Sequence, residues 1–532
     1  MSLQHTLNTS LSQEQRDTLH LHGLLPHRIE SNDSVLKRLY AFIISQPEAT
    51  DQYDTLQYLR IHHTQVFYKL MHRYLDVLLP VVYTPTVSKI VKTYSQRFRM
   101  PEGIYLSYPN RHLIAEILGQ CSEHIKLVIL TDGEGVLGIG DWGLGGMSIC
   151  TSKKVVYGIA ANLNPAWILP IHLDVGTDQA ELLENDHYLG WQHPRIHQEA
   201  YLPFIDTVIE QIQARWPKAV IHWEDFARKN GALLLARYRH KMPSFNDDIQ
   251  GTGAVACACI LAGFKALSKD ITQQNIVFFG AGSAGCGIAQ QWYHILRHAG
   301  LSDTEARSNI WLVDQQGLLG QNSQSMTPKQ MFFAQKHDGG LNLLDTISLS
   351  KPAALIGCSG VVGAFSEAVI ALMAQQTHQP IIMPLSNPTH CAEAIPANIL
   401  HWSKGNAIIA TGSPFEPVPL EGESRDIAQC NNAFLFPALA LGALASNATE
   451  ITDEMLSVSC HALANHSPIL QDIRQPLMPQ LKDLYKTTQS IAKEVGQYAI
   501  NHHLGDITND IDTALQSLQW LQPGDTNGIK QS

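Results

Sequence analysis

Two acidic clusters carry residue types that bind a hard cation. Trp223-Glu224-Asp225-Phe226 stands just past an apolar run, and Asn246-Asp247-Asp248-Ile249-Gln250-Gly251-Thr252 stands just before an apolar helix. Carboxylates from a strand end and a helix start can converge on one ion, and such oxygens suit Mg²⁺ or Mn²⁺. The plainer role for Asp247 or Asp248 is to cap the helix. Asp132-Gly133-Glu134-Gly135 begins a glycine-rich stretch that runs to Gly146, and Lys153-Lys154 follows. A buried lysine of lowered pKa acts as a base, whereas two adjacent lysines by themselves describe a solvated surface. Tyr83-Thr84-Pro85-Thr86, Ser386-Asn387-Pro388-Thr389 and Asn431-Asn432 are polar clusters beside apolar segments. They are placed to hydrogen-bond a ligand, but alone each reads as a loop.

Residues 275 to 285 read Asn-Ile-Val-Phe-Phe-Gly-Ala-Gly-Ser-Ala-Gly. An apolar strand runs into Gly280, Gly282, Ser283, Ala284 and Gly285, a helical apolar pattern follows from Ile288 to Leu296, and a second strand, Ile310 to Val313, ends in Asp314. This is the layout of a dinucleotide-binding βαβ unit. The first glycine permits the turn, the second lets backbone approach a pyrophosphate, and the third lets the helix pack on the strand. The helix start offers free N–H groups to phosphate, and Asp314 can accept from a ribose diol.

These residues need a scaffold, and the composition supplies one. The chain has 532 residues, 45 % hydrophobic and 16 % charged, enough for two to four domains with sizeable cores. A net charge of −11 without a basic run argues against nucleic acid. No uninterrupted apolar stretch reaches membrane-spanning length. Residues 1–15 have no targeting pattern, and the nine cysteines are scattered, so a reducing cytoplasm is the expected compartment. Cys257 and Cys259, in an Ala-rich run, read as small core residues. None of the 25 histidines sits at a persuasive ligand spacing.

The periodicity predicts helices over about residues 10–80, with a proline-punctuated turn at Pro80 to Pro85. Strands at Leu127 to Leu130, Leu169 to Leu173 and Val220 to Trp223 alternate with helices. A buried helix covers 251–267. Further strands fall at Ala354 to Ile356, Ile381 to Leu385 and Ala407 to Ala410, each ending at Gly, Pro, Ser or Asn, as at the carboxyl edge of a parallel sheet. Helices return after 432.

Taken in order, ten segments resemble the malic enzyme family. They are Tyr-Thr-Pro-Thr-Val at 83, Thr-Asp-Gly-Glu at 131, Leu-Gly-Ile-Gly-Asp at 137, Asp-Val-Gly-Thr at 174, Glu-Asp-Phe at 224, Phe-Asn-Asp-Asp-Ile-Gln-Gly-Thr at 245, Gly-Ala-Gly-Ser-Ala-Gly at 280, Pro-Leu-Ser-Asn-Pro-Thr at 384, Thr-Gly-Ser-Pro-Phe at 411 and Cys-Asn-Asn-Ala-Phe at 430. The resemblance implies oxidative decarboxylation of L-malate to pyruvate and CO₂ with NAD and Mg²⁺ or Mn²⁺. It implies Glu224, Asp225 and Asp248 as metal ligands, Lys153 as general base and Tyr83 as general acid. It also implies Asn387, Asn431 and Asn432 as substrate-binding amides, with Asn387 also near the cofactor, and a homodimer or homotetramer.

One departure is pointed: Gly135 stands where the family usually has Arg, in contact with substrate and cofactor. Gly135, Gly140-Asp141-Trp142-Gly143 and the Leu-Gln-Trp-Leu-Gln-Pro ending at 523 look like the malolactic branch, which yields L-lactate and CO₂ on bound NAD. A third alternative is a regulatory protein that binds malate or NAD without turnover. Arg97, Arg99 and Arg111 are the nearby candidates for the missing charge. The expected fold is α/β: a Rossmann-type doubly wound NAD domain, a second α/β substrate and metal domain, and a helical N-terminal region. The expected boundaries are 1–100 helical, 101–246 substrate and metal, 247–431 NAD, 432–503 substrate again and 504–532 a tail, with the site between the two α/β domains.

Overall fold

The computed structural model describes residues 9–136, 138–420, 422–506 and 510–521. Leu137, Gln522 and Pro523, which belong to segments singled out above, lie outside the described residues, as does part of the tail. Contacts divide the chain into two compact units. The first holds the residues up to Ala219, Glu224–Phe226 and the segment from Gln516, and the second holds Val220–Trp223 and Ala227–Leu515. This grouping is a different division from the functional boundaries expected above, since residues 432–503 pack in the second unit.

The first unit opens with short helices. Ser31 Oγ accepts from Ser34 N–H at 3.1 Å where helix Asn32–Ile44 begins, the capping role that favours serine there. Helix Thr64–Arg73 turns Phe67, Tyr68, Leu70 and Met71 inward. Helix Leu75–Val82 carries Pro80 inside it, where the sequence predicted the start of a turn. Proline costs a helix interior roughly 3 kcal/mol, but burying Leu78, Leu79, Val81 and Val82 returns about 1.5–3 kcal/mol each. The turn therefore waits until Tyr83.

Strands β1 (Ile104–Ser107), β2 (Leu127–Thr131) and β3 (Ile168–Asp174) follow, and β3 pairs in parallel with each of the other two. β1 buries only Leu106, too weak a pattern to be read from sequence. Helix Met147–Val156 buries every residue except Lys154. A π-helical turn, Tyr157–Ala161, extends it to Asn162, which is left-handed at φ 52°. Trp520 N–H donates to the Asn162 carbonyl at 2.9 Å, and Leu521 N–H to Asn162 Oδ1 at 3.1 Å.

The second unit begins with β4 (Val220–Trp223) and β5 (Ser244–Asn246), a parallel pair in which Trp223 lies opposite Asn246. A π-helical turn, Asp247–Gly251, leads into helix Thr252–Ala266, which is buried from Gly253 through Phe264. Together they make one apolar helix long enough, by length and composition, to cross a membrane, but most of it is buried inside the protein. Next come β6 (Ile276–Phe279), β7 (Ile310–Asp314), β8 (Gly317–Leu318), β9 (Ala354–Gly357), β10 (Ile381–Pro384) and β11 (Ile408–Thr411). They are followed by the ribbon β12 (Val418–Leu420) with β13 (Glu423–Arg425), and by β14 (Ala428–Gln429).

Seven of these strands form one sheet in the order β14-β11-β10-β9-β6-β7-β8. All pairs are parallel except β7 with β8. Val277, Val313, Leu355, Ile382 and Ile409 from its strands pack with Ile347, Val369, Ile370, Met373 and Ile399 from flanking helices. The sheet is the doubly wound, Rossmann-type fold that the sequence predicted. Its strand order reverses between β6 and β9, which opens a crevice at the carboxyl ends of those two strands.

Candidate active site

In the first unit the two adjacent lysines face different partners. Lys153 is 2 % exposed, and its Nζ lies 3.1 Å from Glu224 Oε1. The same Nζ sits 5.6 Å from the centre of the Tyr83 ring. Tyr83 is 6 % exposed and closes helix Leu75–Val82, its N–H bonded to the Leu79 carbonyl at 2.9 Å. The predicted base, acid and first acidic residue therefore meet. Lys154 points elsewhere, and burial, with the charge of Arg60, pulls its pKa down to about 8 against a smaller upward pull from Glu102.

Glu224 and Asp225 are the two residues after β4, and Asp247 and Asp248 are the two after β5. Because Trp223 and Asn246 are paired in register, both acid pairs leave the same end of a parallel strand pair. Glu224 N–H donates to the Leu130 carbonyl at 2.9 Å, and the Asp225 carbonyl accepts from Gly135 N–H at 2.9 Å. Asp225 is left-handed at φ 55° and fully buried, a costly backbone state of the kind that clusters at functional sites. In the second unit Asn432 Nδ2 donates to Asp247 Oδ2 and to Thr252 Oγ1, each at 3.1 Å. Asn431 Oδ1 accepts from Ala433 N–H at 3.0 Å and caps a short turn. The amide of Asn432 thus braces the second acid pair, a function that the sequence did not reveal.

Sequence reasoning also missed a buried arginine. Arg195 is 5 % exposed; its Nε and Nη2 grip Asp141 at 2.8 Å each, and Nη2 reaches the Asp132 carbonyl at 2.9 Å. Tyr201 Oη donates to Asp132 Oδ2 at 2.6 Å. Burial raises the Asp132 carboxyl pKa, against the opposing pull of Arg195 and Tyr201. For Asp141 burial pulls upward too, but the hydrogen bonds and charge of Arg195 win and lower it. The cluster fastens the glycine-rich loop on either side of Gly135, at Asp132 and Asp141. The three arginines expected to replace the absent charge are used elsewhere. Arg97 pairs with Asp54 at 2.6 Å, Arg99 donates to the Gln96 and Phe98 carbonyls, and Arg111 lies over the Tyr108 ring at 4.4 Å.

The second unit builds a cofactor edge from turns. Gly280 and Gly282 lie between β6 and helix Ser283–His298, and Ser283, Ala284 and Gly285 are the first residues of that helix. Gly280 has φ 107°, and a Cβ there would come within 2.5 Å of the Cys358 backbone. A Cβ on Gly285 would come within 2.1 Å of the Gly280 carbonyl. Gln330 Nε2 supports the turn by donating to the Ala281 carbonyl at 2.9 Å. Asp314 ends β7, and its Oδ1 accepts from Gln316 N–H at 2.7 Å. Asn387 Oδ1 accepts from Ser413 Oγ.

Glu393, fully buried, ties these loops together. Its Oε1 accepts from Ser359 N–H at 2.7 Å, Ser359 Oγ at 2.9 Å and Ser386 Oγ at 2.5 Å. Nothing in its local spacing marks it, because its partners come from two separate loops.

Comparison with known proteins gives the family. The model described as "Malic enzyme, N-terminal domain" matches residues 61–239, and that described as "Malic enzyme, NAD binding domain" matches residues 249–500. A "NAD-dependent malic enzyme" of Shewanella putrefaciens is 42 % identical over 506 residues, covering 93 % of this chain and 90 % of that protein. One from Shewanella sp. is 41 % identical over 521 residues, covering 96 % and 92 %. Among solved structures, the malic enzyme of Entamoeba histolytica aligns with a TM-score of 0.57 at 20 % identity over 97 % of this chain and 93 % of that one. The malic enzyme of Pyrococcus horikoshii aligns at 0.56 and 22 % over 83 % and 87 %. The structural likeness carries the fold, the sequence likeness carries the kinship, and the chain belongs to the malic enzyme family.

Proposed function

We propose that this chain oxidatively decarboxylates L-malate to pyruvate and CO₂ with reduction of NAD. The observation that carries the reading is the placement of Lys153 Nζ 3.1 Å from Glu224 Oε1 and 5.6 Å from the Tyr83 ring. That placement joins a base, an acid and a metal-type ligand. Glu224 and Asp225 are adjacent buried carboxylates, Asp248 is the third ligand that the family resemblance implies, and all-oxygen donors fit Mg²⁺ or Mn²⁺. When bound, the cation supplies Lewis acidity at the malate hydroxyl and adjacent carboxylate, and NAD supplies the hydride acceptor.

The side chains do the rest. Lys153 takes the hydroxyl proton as the carbinol carbon is oxidised. The resulting β-keto acid loses CO₂, leaving the enolate of pyruvate. Tyr83 donates a proton to the enolate carbon, and Lys153 returns its proton to Tyr83, so malate and NAD become pyruvate, CO₂ and NADH. Asn387, Asn431 and Asn432 hold the substrate, in keeping with the amides' positions beside Ser413 and Asp247. Gly280, Gly282, Ser283, Ala284 and Gly285 hold the pyrophosphate, and Asp314 holds the ribose. In this reading residues 101–246 and 432–503 serve substrate and metal, and 247–431 serve NAD.

The deciding experiment supplies malate, NAD and Mn²⁺ and assays products. Stoichiometric NADH and pyruvate are expected. Gly135 favours one rival: L-lactate and CO₂ without accumulating NADH would establish the malolactic outcome, and absence of turnover the regulatory one. We also propose a homodimer or homotetramer. Phe42, Tyr58 and Val77, exposed on the N-terminal helices, support this as apolar surface awaiting a partner, and sedimentation velocity tests it. The nine free thiols suit a cytoplasmic setting, testable by fractionation.

A further inference from the structure

A guanidinium stands beside the second glycine of the glycine-rich turn. Arg228 is the first residue of helix Arg228–Tyr238. Its Nη1 lies 3.5 Å from the point that a Cβ on Gly282 would occupy, and beyond the turn's own chain neighbours nothing else lies within 4 Å of that point. Gly282 is the glycine whose bare backbone faces a pyrophosphate in a βαβ dinucleotide site. Arg228 is exposed, and among the described residues no carboxylate pairs with it. Asp225, which precedes it by three residues, holds Gly135 N–H through its carbonyl at 2.9 Å.

We propose that Arg228 grips the pyrophosphate of the dinucleotide. The inference rests on the NAD reading above. The N-terminus of helix Ser283–His298 offers N–H groups and a partial positive charge, and a guanidinium adds two parallel donors matched to phosphate oxygens. With Gly at 282, the space between guanidinium and turn stays clear for the phosphates.

The test is calorimetric titration of the full-length protein, without malate or metal, using NAD, ADP-ribose and adenosine. Arg228→Ala should weaken NAD and ADP-ribose about tenfold, the size of one lost charge-assisted contact, and leave adenosine unchanged. The loss should shrink as salt rises, and Arg228→Lys should recover part of it. An unchanged melting temperature would show that folding is intact. NAD and ADP-ribose affinities within about twofold of wild type, or an equal loss for adenosine, would overturn the proposal. A wild-type protein that binds ADP-ribose but does not turn malate over would sink the catalytic reading and leave this one standing.

Discussion

In the first unit the proposed chemistry rests on buried, paired groups: Lys153 against Glu224, and Arg195 between Asp132 and Asp141. In the second unit the proposed cofactor edge is mostly glycine turns and backbone, and its carboxylate Glu393 is occupied in bracing loops. The contrast follows from the tasks. Proton transfer needs a few side chains fixed to within tenths of an ångström, and burial fixes them. A pyrophosphate needs close approach and many N–H donors, which backbone provides where side chains are absent. Changes in the first unit should therefore strike turnover, and changes in the second should strike cofactor affinity.

The sharpest way to break that contrast is Lys153→Ala. Turnover should fall by about three orders of magnitude or more, the scale of a lost acid–base group, while calorimetric NAD affinity stays within about twofold. A comparable loss of NAD affinity would mean that the two edges are not separable. Asp248→Asn is the exception to the rule in the second unit: as a proposed metal ligand it should lower turnover rather than NAD affinity, with activity partly restored by raising Mn²⁺.

Glu393→Gln comes next. It keeps the shape but weakens the charge-assisted bonds to Ser359 and Ser386, so KM for NAD should rise about tenfold with a smaller change in kcat. A kcat collapse at unchanged KM would place Glu393 in the chemistry instead.

A smaller effect concerns the ribose. Asp314 should repel a 2′-phosphate, and Gln315 and Gln316 offer no compensating charge, so NAD should be preferred. A higher kcat/KM for NADP would refute this, with Lys329 and Lys336 as the basic residues further along the chain.

The mildest change is Lys154→Met. Activity should stay within a few-fold, because the proposed base is the neighbouring Lys153. Its pH signature is more telling. Below about pH 8 the proton is bound in both folded and unfolded chains, and folding bears the full burial penalty. From about 8 to the ordinary 10.5 only the unfolded lysine stays charged, so wild-type stability rises with pH across that window. The methionine variant should lack this rise, and melting curves recorded across the window would expose its persistence.

Much of this was legible in the chain. Strands with unbroken apolar runs, such as Val220 to Trp223, and the glycine turn between Phe279 and Gly285 are local, and local patterns survive folding. Weak strands such as β1, and the helix that runs through Pro80, were not legible, because burial from distant segments decides them. The sequence by itself determined which residue types could bind metal, move protons and cradle phosphate, since identity and spacing along one strand or turn set those capacities. Only the tertiary structure decided that Lys153 rather than Lys154 faces Glu224. Only the tertiary structure assigned Arg195 to Asp141 across 54 residues and Glu393 to two loops. A hydrogen bond between remote residues depends on where whole elements pack, and no local pattern encodes that distance.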